Sequence, residues 1–124
     1  MTKTKLEKTL AKQDLTGFHK HPNGGGWVED TARVADTAYV GPDARVSGHA
    51  KVYGHARVYD NARVYDNARV YDNARVCGNA KVCDAAWVCG DAWVYGNAKV
   101  CDAAWVSGDA RVSGDARVDR KSVV

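Results

Sequence analysis

The chain contains no isoleucine, one phenylalanine (Phe18) and three leucines (Leu6, Leu10, Leu15), all of them before residue 19. From Trp27 onward its aliphatic side chains are only valine and alanine. A compact globule fills its interior with apolar groups of mixed size. This composition excludes such a core and calls for a narrow, uniform one. There is no run of about 18 apolar residues, which excludes a transmembrane helix and with it a membrane partner. The N-terminus is polar and lysine-rich and lacks the apolar stretch of a secretory signal, so a cytoplasmic location is expected. Four cysteines (Cys77, Cys83, Cys89, Cys101) without a disulfide-scaffold context fit that expectation. A strongly basic body is lacking too. Lys3, Lys5, Lys8, Lys12 and Lys20 outweigh Glu7 and Asp14 before residue 27, which accounts for the whole formal charge of +3 and leaves the rest neutral.

What is present is a repeat. Seventeen valines recur every six residues from Val28 to Val124 without a skip. Alanine follows four places after each valine up to Ala116, and Ser122 replaces it in the last copy. The unit reads V-[Y/C/S]-[D/G]-[N/D/H/A]-A-[R/K/W], as in Val58-Tyr59-Asp60-Asn61-Ala62-Arg63. A fixed short period marks a stacked architecture. A period of six fits neither an α-helix nor a coiled coil, which repeat at about 3.6 and 3.5 residues, and β-branched valine disfavours both. Along Ala62-Arg63-Val64-Tyr65 the side chains alternate in and out as in a strand, and Asp66-Asn67 supplies a corner. Three such units close a triangular coil, so residues 18 apart stack at about 4.8 Å. The whole repeat predicts an all-β solenoid, a parallel β-helix of roughly five and a half coils and about 27 Å in length.

An aliphatic residue followed four places later by a small one, over residues 27–124, resembles the hexapeptide-repeat family. That resemblance implies a left-handed β-helix, against the usual right-handed crossover. It also implies trimers packed side by side as the favoured homo-oligomer. The lead-in His21-Pro22-Asn23-Gly24-Gly25-Gly26 is similar to that of small hexapeptide-repeat proteins of phages and bacteria. A phage-derived interaction or anti-defence role follows from that likeness.

Residues 1–26 differ in kind and read as an N-terminal cap or arm with a glycine-rich linker, ahead of a repeat domain at 27–124. Leu6 and Leu10 at i, i+4 predict a short helix over about residues 4–15, ended by Gly17. An open solenoid end exposes strand edges and an apolar cross-section. Leu6, Leu10, Leu15 and Phe18 are the large apolar side chains available to cover it; a basic arm for a partner is the alternative. The glycine run reads as a flexible lead into the first coil.

Sorting the repeat at an 18-residue stride separates three faces. The third stacks Arg45, Arg63, Lys81, Lys99 and Arg117 below Trp27, a candidate stripe for a polyanion such as nucleic acid or a nucleotide. Corner aspartates offset it, so a solvated charged face is the bland reading. Trp87 and Trp105 share the first face, and Trp93 with Tyr95 lies on the second. Each tryptophan replaces Arg or Lys at an outward position, which marks a protein interface, self-association first and a sugar- or base-stacking platform second. The cysteines fill a Tyr/Ser slot. No C-x-x-C pair exists and outward strand neighbours converge poorly, so no metal or other cofactor is expected.

The hexapeptide-repeat resemblance implies acyl transfer by a histidine base with a cofactor thioester, or a metal held by histidines between subunits. In those enzymes the working groups sit on loops that interrupt the repeat, and here none does. His49 and His55 are the candidates, as catalytic bases at a subunit interface, but they fall on successive corners where Asn61, Asn67 and Asn73 follow. The sequence thus points to a non-enzymatic, oligomeric solenoid, with a degenerate acyltransferase-like trimer as the alternative.

Overall fold

The computed structural model describes residues 17–119. The expected helix near residues 4–15, with Leu6, Leu10 and Leu15, lies outside them. Among the described residues there is no helix. Strand β1 (Phe18–Lys20) and strand β2 (Trp27–Glu29) are followed by fifteen two-residue strands, one per hexad, from Arg33–Val34 to Arg117–Val118. They stack into three sheets. The first holds the strands beginning at Arg33, Lys51, Arg69, Trp87 and Trp105; the second, those at Tyr39, Arg57, Arg75, Trp93 and Arg111. The third runs from β1 and β2 through the strands at Arg45, Arg63, Lys81, Lys99 and Arg117. Every pairing between repeat strands is parallel with a register of 18, as in Arg63↔Lys81 and Val64↔Val82. The described repeat makes about five turns.

The interior contains only valine and alanine. Val40 through Val106 are fully buried at each six-residue step, and the alanines from Ala38 to Ala98 beside them are equally closed to solvent. One branched and one small side chain per hexad fill the triangle, which is why no larger aliphatic residue appears after Trp27.

The corners explain the [D/G] alternation. From Gly48 to Gly114, the second residue after each valine has φ between 57° and 68°. Glycine enters this left-handed region freely, and aspartate is among the few other residues that do so. Where aspartate is used it adds a bond that glycine lacks. Gly78 N donates to Asp60 Oδ2 at 3.2 Å, Gly90 N to Asp72 Oδ2 at 3.2 Å, and Asp102 N to Asp84 Oδ2 at 3.0 Å. The corner backbone is bonded between coils as well, as His49 N to the carbonyl of Asp66 at 2.8 Å shows. These bonds satisfy corner groups that a plain strand ladder would leave open.

At the N-terminal end of the described residues the chain folds back against the first coil. Strand β1 pairs antiparallel with β2, Phe18 opposite Glu29, and covers the first open edge of the third sheet. Phe18 therefore contributes as a strand residue. The glycine run, expected as a flexible lead, lies across the second sheet's first strand. Gly26 N donates to Val40 O at 2.9 Å and Asn23 Nδ2 to Asp36 O at 3.3 Å. His21, only 3% exposed, is 2.8 Å from Ala38 O through Nε2. A Cβ on Gly24 would fall 2.2 Å from Val40 O, so glycine is required by close approach there.

Candidate functional site

The outward side chains form columns, because each has the residue 18 places on as its neighbour. On the first sheet two neighbouring columns, Tyr53 with Tyr71 and Trp87 with Trp105, join into one aromatic track, called the aromatic column below. Tyr53 and Tyr71 stack at 4.9 Å with their planes 2° apart. Tyr71 meets Trp87 edge-on at 6.0 Å, and Trp87 meets Trp105 edge-on at 5.3 Å. The Arg69 guanidinium lies over Trp87 at 5.2 Å. On the second sheet, Arg75 and Arg111, from the coils on either side, lie over Trp93 at 5.2 and 5.3 Å. Tyr95 tilts against the same indole at 5.5 Å.

These contacts give the outward tryptophans partners within the chain itself. A cation over an indole face contributes about 0.5–1 kcal/mol at exposed sites, and Trp87 and Trp93 are both half-buried by such neighbours. Trp105 differs. It ends the column, and 54% of its surface is exposed.

Cations stand on all three sheets, and the third carries the longest uninterrupted column of them. Arg45 pairs with Arg63, Arg63 with Lys81, Lys81 with Lys99, and Lys99 with Arg117, each directly beside the next. The corner aspartates do not pair with this stripe, because Asp66 and Asp84 turn their carboxylates onto backbone N–H groups of the next corner. The ion pair found between described residues is His19 Nδ1 with Asp30 Oδ1 at 2.7 Å, at the capped end. Arg45, Arg63 and Lys81 line a groove of about 220 Å³ together with Phe18, Ser47 and Tyr65. In-register like charges repel, so the column gains from any anion that lies along it.

The histidines do not converge. His55 lines a groove of about 580 Å³ with Tyr39, Arg57 and Tyr59, whereas His49 lines another with Arg33 and Arg69. His21 is enclosed in the cap and His19 is paired with Asp30.

The cysteines are less exposed than an outward slot suggests: Cys77, Cys83 and Cys89 are each 8% exposed. Tyr59, Tyr65 and Tyr71 stand one coil earlier in the same columns and interact with Cys77, Cys83 and Cys89 respectively. A small side chain below each tyrosine leaves room for the ring to lean over it. Burial, and then the contact with the thiol, push the Tyr65 and Tyr71 hydroxyls up to about 12. Burial likewise pushes the Cys83 thiol up to about 11. Sequence reasoning missed this pairing, although tyrosine at one stride and cysteine at the next would have indicated it.

A family model described as YdcK Beta solenoid repeat matches residues 50–64, 56–72, 62–78 and 68–84. No curated protein and no solved structure matches the chain. The matched windows cover the most regular hexads, where three V-Y-D-N-A-R units follow one another. With the three stacked parallel sheets, they identify this chain as a β-solenoid repeat protein, similar over residues 50–84 to the YdcK solenoid repeat.

Proposed function

We propose that this chain is a non-enzymatic, left-handed solenoid that acts as a scaffold or binding module and associates with copies of itself. Its aromatic column provides the contact, with a trimer as the favoured assembly and a phage-derived interaction role as the setting. The observation that carries this reading is Trp105, an indole 54% exposed at the end of a column whose other tryptophan is already packed. Large exposed aromatics are enriched at interfaces, where their burial contributes most. Trp93 and Tyr95 extend the apolar surface onto the adjacent sheet at the same height. Native mass spectrometry of the intact chain tests it. A discrete oligomer that becomes monomeric in Trp105→Arg, a substitution the repeat itself uses at Arg69 and Arg111, supports the reading. A monomer for the unsubstituted chain overturns it.

A second reading is favoured by the cation column. Five cations in register offer a straight track for a phosphate polymer or nucleotide. Its signature is binding of a single-stranded oligonucleotide that weakens steeply with salt and is lost in Arg63→Glu/Lys81→Glu. The acyltransferase-like alternative would instead work through His49 or His55. It requires that His49→Ala/His55→Ala abolish the biological effect, whereas the scaffold reading expects that variant to keep it.

A further inference from the structure

On the third sheet, Cys83 and Cys101 stand at the same position of successive coils, directly after the paired valines Val82 and Val100. Both are free thiols, Cys83 buried and Cys101 half-buried. Their Sγ atoms and a carboxylate oxygen of Asp84 all lie within 4.8 Å of one another. Among the described residues no other group of three such donors comes this close. Asp84 Oδ2 accepts the Asp102 N–H at 3.0 Å, which holds the carboxylate in place. The arrangement follows from the fold. A parallel ladder spaces equivalent residues at about 4.8 Å, and two sulfurs bound tetrahedrally to one zinc-sized ion, at about 2.3 Å each, sit about 3.8 Å apart. A small rotation of the side chains closes that gap. No interrupting loop is needed, because the strand stacking itself supplies the convergence that a C-x-x-C turn supplies elsewhere.

We propose that Cys83, Cys101 and Asp84 form a site for one thiophilic divalent cation of the zinc and cadmium class. Two sulfurs and one oxygen make a three-donor set, with water completing the tetrahedron. On binding, both thiols lose their protons to solvent, and the cation forms two metal–sulfur bonds and one metal–oxygen bond. Tyr65, whose hydroxyl interacts with Cys83, covers the site from the preceding coil. Sulfur binds such an ion as thiolate, so uptake of the ion releases the protons the thiols carry.

Cadmium(II) alone, titrated into the reduced full chain, is the test. The expected result is one equivalent bound, a sulfur-to-cadmium charge-transfer absorbance, proton release, and a rise in Tm. Cys83→Ser and Cys101→Ser should each weaken binding by about 100-fold or more, and Asp84→Asn by about tenfold. Cys77→Ser/Cys89→Ser should leave the affinity unchanged. Serine stands at this same position in Ser47, Ser107 and Ser113, so the repeat accommodates these variants. Absence of the charge-transfer band at millimolar cadmium overturns the proposal, as does an unchanged affinity in Cys83→Ser/Cys101→Ser.

Discussion

The first and third sheets share one backbone, one register and one core, and both begin with cations in register (Arg33, Lys51 and Arg69 on the first), yet beyond Arg69 the first turns to tryptophan where the third keeps its cations. On the first sheet each aromatic ring has another ring or a guanidinium as its neighbour, and the contacts attract. On the third sheet each cation has another cation beside it, and the contacts repel. The shared interior tolerates both. In an in-register solenoid the strand neighbour of a side chain is the residue 18 places away, and side chains also reach off that stride, as Tyr71 does to Trp87 and Trp93 to Tyr95. The first column stabilises itself and leaves one end open. The third depends on solvent or a bound anion.

If the two columns differ only outside, removing the valine beneath each should cost the same. Val82→Ala, under Lys81, and Val88→Ala, under Trp87, should each lose about 2–3 kcal/mol from lost burial and the cavity left behind. Denaturant melts that differ between them by more than about 1 kcal/mol would break the comparison. Alkaline titration probes the tyrosine–cysteine contacts that both columns contain. Tyr65 and Tyr71 are raised from 10.0 to about 12, and Cys83 from 9.0 to about 11. Raised folded values mean that the neutral forms are favoured by folding, so this stabilisation is complete below pH 9. It should fall away as pH rises through about 11 for the thiol and about 12 for the phenols, read as a declining Tm. Cys83→Ser should remove the earlier part of that decline.

Alternating the charge on the third sheet sharpens the contrast next. Arg63→Glu/Lys99→Glu turns the repulsive neighbours into opposite pairs and should raise stability by about 0.5–1 kcal/mol in low salt, an effect that added salt shrinks. The smallest effect belongs to the first sheet. Arg69→Ala uncovers one face of Trp87 and should cost about 0.5 kcal/mol, with a shift of indole fluorescence marking the exposed ring. If the charge alternation lowered stability, the cations would not be repelling one another and the anion reading would lose its basis.

Much of this architecture was legible in the chain. Valine at every sixth residue announced the strands, alanine four places later announced the small inward partner, and Asp-Asn pairs such as Asp66-Asn67 announced the corners, whose left-handed backbone the structure added. The 18-residue stride also placed Trp87 beside Trp105 and Arg63 beside Lys81 correctly. Other features were not legible. The glycine-rich segment read as a flexible lead because glycine alone signals freedom, whereas here it is required by close packing on Val40. Trp87 and Trp93 read as wholly outward, because a position on a strand says nothing of an arginine leaning across from the next coil.

By itself the sequence determined the repeat, the triangular coil, the narrow core and the membership of each column. Those depend on period and side-chain size, which are properties of the chain read in order. Only the tertiary structure decided that the corner aspartates bond the next corner's backbone instead of the cations, and that tyrosines cover the cysteines. The stride already set Cys83 beside Cys101, and the tertiary structure added the Asp84 carboxylate within reach of both sulfurs. These outcomes depend on side-chain rotamers chosen between coils. Stacking spaces the coils about 4.8 Å apart, and which contact each side chain makes across that gap is settled by competing neighbours in three dimensions.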